Sequence, residues 1–202
     1  MGDLEANCFL VRRGRDAVVI DPGGEAGMVI AFCAKHAIKP GLILATHGHF
    51  DHIGGVADLK DAWGVSYAAS SFDELLYRNM LVHAAAFGVE GLRKAPPPDL
   101  DLAHETAVTC GALTLDVRPT PGHSPGSVTL AVEDHLFAGD LIFQGSIGRT
   151  DLPGGDHAAL LRSVAAHIFT VPGGIIHPGH GPLTTVEAER AENPYLTGLD
   201  AV

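Results

Sequence analysis

His47-Gly48-His49-Phe50-Asp51-His52, followed at once by Ile53-Gly54-Gly55, is the stretch that decides the reading of this chain. It comes directly after Leu42-Ile43-Leu44-Ala45-Thr46, a short apolar run that reads as a buried strand. Three imidazoles and a carboxylate therefore lie where a strand spills into a loop, the place where a rigid scaffold presents its chemistry. Imidazole is a common metal ligand, and carboxylate is a harder donor for the same cation. Read as extended backbone, H-x-H-x-D-H offers imidazole and carboxylate donors in close succession, so one short segment can serve two adjacent metals. The plain alternative is a His-rich loop in a chain that has 12 His.

A catalytic pair of metals needs further donors and an open position for water or substrate. Three later places supply donors. Pro121-Gly122-His123-Ser124-Pro125-Gly126 is a Pro/Gly turn with one His, set before the apolar run Ser127-Val128-Thr129-Leu130-Ala131-Val132. Leu136-Phe137-Ala138-Gly139-Asp140 ends an apolar run on a carboxylate, and Ile175-Ile176-His177-Pro178-Gly179-His180-Gly181 breaks a strand into a loop with a second His. Each donor recurs at a strand exit, so four loops can converge on one rim.

The remaining pattern alternates strands and helices. Asn7 to Val11 and Ala17 to Ile20 read as two opening strands, Glu25 to Ala37 and Ile53 to Trp63 as helices, and Thr106 to Thr120 as a hairpin around Gly111-Ala112. Ser127 to Gly139 supplies two more strands. His157 to Thr170 places Leu160, Leu161, Val164 and Ile168 on one helical face. Phe72 to Gly88 reads as a helix or helical lid, and Arg93 to Leu102, with Pro96-Pro97-Pro98, as an extended loop. Two strand-rich layers with helices outside give an α/β protein, an αββα sandwich of two mixed sheets. A single domain over residues 1–202 is expected, because no cut leaves one half with the full donor set.

Composition narrows the function. The 202 residues carry a net charge of −11 with only 13 Lys plus Arg and no basic stripe, which speaks against nucleic acid as a partner. No apolar run approaches the ~20 residues of a membrane span, and Met1-Gly2-Asp3-Leu4-Glu5 lacks a secretory pattern, so a cytoplasmic enzyme acting on a small molecule, monomeric or a small homo-oligomer, is expected. Cys8, Cys33 and Cys110 are odd in number and far apart, which fits buried thiols in a reducing compartment.

Thr46 to Gly55, Pro121 to Ser127, Gly139-Asp140 and Pro178 to Gly181 together resemble the metallo-β-lactamase fold hydrolases, in their order and over nearly the whole chain; within that family they look like the glyoxalase II branch. Gly139 to Asp156 looks like a short bacterial subgroup. The resemblance implies His47, His49 and His123 as ligands of one metal, Asp51, His52 and His180 as ligands of the second, and Asp140 as the bridge. It implies two divalent ions, zinc first and iron or manganese as alternatives. Two such ions outweigh Asp51 and Asp140 and leave a cationic site suited to an oxyanion. Asp51 and Asp140 would also be catalytic, Asp51 orienting the attacking hydroxide.

The reaction implied is hydrolysis of a thioester such as S-lactoylglutathione. Longer glyoxalase II enzymes add a C-terminal helical region that helps to bind glutathione; only about twenty residues follow Gly181 here, so other thioesters or lactones come into question. Persulfide dioxygenases resemble the chain too, with Gly148-Arg149-Thr150-Asp151 in common and one Fe(II) on His47, His123 and Asp140. A non-catalytic metal-binding scaffold would be expected to have a broken donor set. Arg149 is either a local partner of Asp151 or a contact for a substrate carboxylate, Phe143 and Tyr195 are further substrate candidates, and Tyr195 alternatively docks the tail. Asp21 is expected as a turn-capping carboxylate behind the ligand loop. His36, His83, His104, His135, His157, His167 and His177 are expected in surface or packing roles, His177 pointing away from the metals.

Overall fold

The computed structural model describes residues 1–199. The chain opens with β1 (Phe9–Arg13) and β2 (Asp16–Ile20), an antiparallel pair turning at Gly14. Helix α1 (Ala26–Lys35) returns the chain to β3 (Leu42–Leu44), which lies parallel to β2. The ligand segment forms α2 (Phe50–Ile53), and α3 (Val56–Trp63) leads to β4 (Ser66–Ala69). After a single 3₁₀ turn come α4 (Glu74–Arg78) and α5 (Met80–Ala86), then β5 (Leu100–Asp101), which completes a sheet ordered β1-β2-β3-β4-β5.

The second half builds β6 (Ala107–Cys110), β7 (Leu113–Pro119), β8 (Val128–Val132) and β9 (His135–Gly139), all antiparallel neighbours. A small ribbon, β10 (Ile142–Phe143) with β11 (Ser146–Ile147), precedes α6 (His157–Ser163). Strand β12 (Ile175–Pro178) adds parallel to β9, and β13 (Thr184–Thr185) with α7 (Val186–Glu192) ends the fold. The second sheet runs β13-β12-β9-β8-β7-β6. Among the described residues no helix is long and apolar enough to cross a membrane.

The twofold alternation of side chains along a strand sorts these residues into layers. Val18, Ile20, Leu42, Leu44 and Ala68 face Leu115, Val117, Val128, Leu130 and Phe137 across the gap between the sheets. Their sequence neighbours Val19, Ile43, Tyr67 and Ala69 face outward onto Ile53, Val56, Leu59 and Met80 of the helices. On the other side Leu136, Ala138 and Ile176 pack on Leu160, Val164, Ile168 and Val186. Helix, sheet, sheet and helix thus stack as the αββα pattern requires, and the strands need apolar residues on both faces.

Four expectations change in detail. The helix expected over Ile53 to Trp63 is divided, because Gly54-Gly55 lies against the turn Pro22-Gly23-Gly24: Gly55 N–H donates to Pro22 O at 2.7 Å, and a Cβ on Gly54 would run into Gly23 O. Phe72 to Gly88 is two helices joined at Asn79, not one. The helix from His157 widens into a π turn over Val164–Ile168. The expected loop Arg93 to Leu102 gives its end to β5, where Ala68 and Ala69 pair with Leu100 and Asp101.

Leu130 is wholly buried between the sheets, whereas Leu75 is 72% exposed. Leu130→Ala should lower unfolding stability by about 2–5 kcal/mol and Leu75→Ala by no more than about 0.5 kcal/mol, measured by urea denaturation at fixed metal content.

Candidate metal centre

Five strands deliver the site from their carboxyl ends. Asp21 follows β2, His47 and His49 follow β3, His123 lies between β7 and β8, Asp140 follows β9, and His180 follows β12. Asp51 and His52 are not on extended backbone, as the alternation of donors suggested. They sit in the single turn α2, closed by His52 N–H donating to His49 O at 3.0 Å, because Phe50 and Ile53 bury together against the helical core. A helical turn places Asp51 and His52 side by side, toward one partner, His180.

The atoms converge. His47, His49 and His123 form one group, His47, His52 and Asp140 a second, and Asp51, His52 and His180 a third, each with its donor atoms within 4.8 Å of one another. Asp140 Oδ2 stands 3.5 Å from His123 Nε2 and 3.6 Å from His180 Nε2, between the two ends of the cluster. His180 Nε2 lies 3.2 Å from Asp51 Oδ2. All seven expected donors are therefore together, and His177 is elsewhere. Its Nε2 meets His135 Nδ1 at 2.8 Å and its ring stacks on Phe137 at 4.6 Å.

Buried carboxylates and carbonyls fix which nitrogens are free. His52 Nδ1–H donates to Asp21 Oδ2 (3.0 Å), Thr46 O–H donates to the same oxygen (2.7 Å), and His47 Nδ1–H donates to Thr46 Oγ1 (3.1 Å). His123 Nδ1–H donates to Arg149 O at 2.8 Å. Each ring is thus left with an Nε2 lone pair facing inward. His123 Nε2 then faces His49 Nδ1 at 2.9 Å, and His52 Nε2 faces Asp140 Oδ1 at 3.3 Å and His180 Nε2 at 3.4 Å. His47 Nε2 and Asp140 Oδ1 are buried with no hydrogen-bond partner. Lone pairs aimed at lone pairs in a buried cluster call for positive charge between them, and the mixed His/Asp donors suit a divalent metal.

The titration behaviour has the same cause. Burial works against a charged His52, yet Asp140, Asp51 and Asp21 outweigh it and hold its pKa well above the usual histidine value. At the other end burial, then His52 and His123, push His47 well below it, and burial with His123 lowers His49 to about 4. Burial opposes ionisation of Asp140, but His52, His123 and His180 keep it ionised far into acid. The cluster is split into an imidazole end that repels protons and a carboxylate end that holds positive charge.

One residue central to the site was absent from the sequence reading. Asp73, buried beside α4, accepts Gly48 N–H (2.8 Å), Gly126 N–H (2.7 Å) and Ser124 O–H (2.7 Å), so a single carboxylate ties the His47-His49 loop to the His123 loop. Burial raises its pKa against those three donors. The available signal was an acid at the start of a helix, which ordinarily reads as a cap.

A cavity of about 310 Å³ opens over the donors, lined by Leu4, Phe50, Leu76, Phe87, Leu152 and Pro153 together with His83, Ala86 and Arg149. Arg149 borders the cavity and forks onto Asp151 with two contacts of 2.8 Å. Phe143 stands behind His180, ring centres 6.2 Å apart, outside the residues that line the cavity. Tyr195 is 57% exposed and also outside them; the tail is docked by its neighbours Asn193 and Leu196, Asn193 Nδ2 donating to Glu189 Oε2 at 2.7 Å and to Ser146 O at 2.9 Å.

Comparison with known proteins agrees with this geometry. The family described as Metallo-beta-lactamase superfamily matches residues 1–186. The hydroxyacylglutathione hydrolase GloC of Haemophilus influenzae is 32% identical, over 96% of this chain and 93% of that protein. Among solved structures, the BLEG-1 B3 metallo-beta-lactamase superposes with TM-score 0.92 at 39% identity, covering 98% of this chain and 97% of that one. TTHA1623 in a di-iron-bound form superposes with TM-score 0.90, also at 39% identity, covering 97% and 98%.

Two outcomes follow for elemental analysis and denaturation. His49→Ala and His180→Ala should each weaken metal retention by about tenfold or more, with His177→Ala retaining metal like the parent. Asp73→Ala leaves three buried donors unpaired and should cost about 3 kcal/mol or more in urea, with metal affinity falling in parallel.

Proposed function

The chain belongs to the metallo-β-lactamase superfamily, and within it we propose a metal-dependent thioester hydrolase of the hydroxyacylglutathione hydrolase type. The observation that carries this reading is the donor set: seven inward-facing His and Asp side chains in one cluster, with Asp140 between His123 and His180, opening on one cavity. His47, His49 and His123 would hold one divalent ion, Asp51, His52 and His180 the other, and Asp140 both, with zinc as the first choice and iron the next. The di-iron form of TTHA1623 supports iron as the alternative. When bound, such ions polarise a carbonyl and make hydroxide available near neutral pH.

The chain's own residues do the positioning. Asp21 and Thr46 keep His47 and His52 in one tautomer, and the Arg149 carbonyl does the same for His123. Asp51, beside His180 at the mouth, orients the attacking water, and Phe50 and Phe87 exclude bulk solvent from it. Thiolate is a good leaving group, so the mechanism requires no separate acid. Donors come from strand exits of both sheets, which supports reading residues 1–202 as one domain. The three cysteines are free, which suits a cytoplasmic enzyme. The name of the Haemophilus influenzae relative supports a glutathione thioester as substrate.

Purified without added metal, the protein should carry about two metal ions per chain and hydrolyse S-lactoylglutathione, followed as loss of thioester absorbance with release of free thiol. Oxygen uptake with glutathione persulfide is the opposing assay. One iron per chain, oxygen consumption with persulfide and no hydrolysis of any thioester or lactone would replace the hydrolase reading with the mononuclear oxygenase that uses His47, His123 and Asp140.

A further inference from the structure

We propose that the substrate's acyl group is an apolar chain longer than lactoyl, seated on the wall formed by Leu4, Leu76 and Phe87. The proposal rests on the thioesterase reading and names the substrate class of the same site.

The argument starts from what the cavity offers. Beyond the donor residues, its lining side chains are Leu4, Phe50, Leu76, Ala86, Phe87, Leu152 and Pro153, and only His83 and Arg149 among the rest are polar. Arg149 is already satisfied by both oxygens of Asp151. The lining thus provides no uncommitted guanidinium or ammonium for a carboxylate, and what it provides in quantity is apolar surface. A 2-hydroxyacyl group is short and polar; placed with its carbonyl at the donors, it would leave the wall wet. A longer hydrocarbon chain would cover that wall, and burying apolar surface is favourable in proportion to the area covered.

The wall also continues outward. Phe87 is 49% exposed at the cavity mouth, and its ring lies 5.7 Å from that of Phe50 next to the donors. The two rings form a path from the donor cluster to solvent along which a flexible chain can lie. Phe87 caps the end of α5, and Leu76 comes from α4, so the path is set by the two helices that follow β4.

Non-hydrolysable thioethers separate binding from chemistry. Calorimetric titration of the metal-loaded protein should show S-hexylglutathione binding at least tenfold more tightly than S-methylglutathione. Phe87→Ala should abolish most of that difference, Phe87→Leu should keep most of it, and Val82→Ala, 70% exposed and outside the lining, should leave it unchanged. In parallel, kcat/KM for S-hexanoylglutathione should exceed that for S-lactoylglutathione at least tenfold. Equal binding of the two thioethers by the parent protein would overturn the inference, as would a difference that survives intact in Phe87→Ala. Hydrolysis of the lactoyl thioester with no preference for the longer chain leaves the thioesterase reading standing and removes this one. Tight binding of the hexyl thioether with no thioester turned over removes the thioesterase reading and with it the acyl assignment, leaving the wall as an apolar binding surface only.

Discussion

The carboxylate of Asp21 is the interaction on which the rest of the structure depends. It is buried at the end of β2; its Oδ1 accepts Thr46 N–H, and its Oδ2 accepts both Thr46 O–H and His52 Nδ1–H. Its backbone is left-handed, with φ of 51°, a conformation that costs a non-glycine residue of order 1–3 kcal/mol. Three hydrogen bonds to an ionised acceptor, at about 1.5–3 kcal/mol each, are enough to offset that cost. Through them one side chain joins two neighbouring strand exits and fixes two imidazoles. Gly23, Gly54 and Gly55 are the corollary, because only bare backbone lets the Asp21 turn and the α2 turn approach so closely.

Asp73 repeats the device on the other side of the cluster. Asp21 organises the loops of the first sheet, whereas Asp73 bridges the first sheet's ligand loop to the second sheet's His123 loop through Ser124 and two backbone amides. The two carboxylates hold a set of groups that would otherwise repel one another: imidazole lone pairs 2.9–3.4 Å apart and carboxylates beside them. A cation that binds this arrangement and not the unfolded chain would stabilise the fold by mass action, so metal binding and stability are coupled. The net charge of −11 favours cations in general; the donor geometry selects where they go.

Chemistry and recognition come from different parts of the molecule. The strand exits supply five of the donors, and the turn α2 that follows the β3 exit supplies Asp51 and His52. Helices α2, α4 and α5 supply the apolar wall, with Leu4 from the N-terminal segment and Leu152-Pro153 from the loop before α6. Changes at Leu76, Ala86 or Phe87 can therefore reshape the cavity at positions that carry no donor.

The linear sequence by itself determined the layered architecture and pointed to the seven candidate donors that the fold brings together. Both signals are local: apolar residues alternate or run continuously over a few positions, and each donor follows such a run into a glycine-rich turn. The position of Asp21 behind the ligand loop was legible for the same reason, since Asp-Pro-Gly-Gly at a strand end is a turn whose carboxylate must find backbone or side-chain donors. What only the tertiary structure decided are the relations between segments distant in the chain. Asp73 reads as an ordinary helix-start acid until Gly48 and Gly126 are brought to it from 25 and 53 residues away. Asp51 and His52 leave the expected extended course because Phe50 and Ile53 must bury together. Tyr195 points to solvent while Leu196 takes the core, a choice of one residue that depends on how α7 packs on β12 and β13. The apolar wall belongs to the same class: Leu4, Leu76, Phe87 and Leu152 share no local pattern, and only the closing of the sandwich gathers them over the donors.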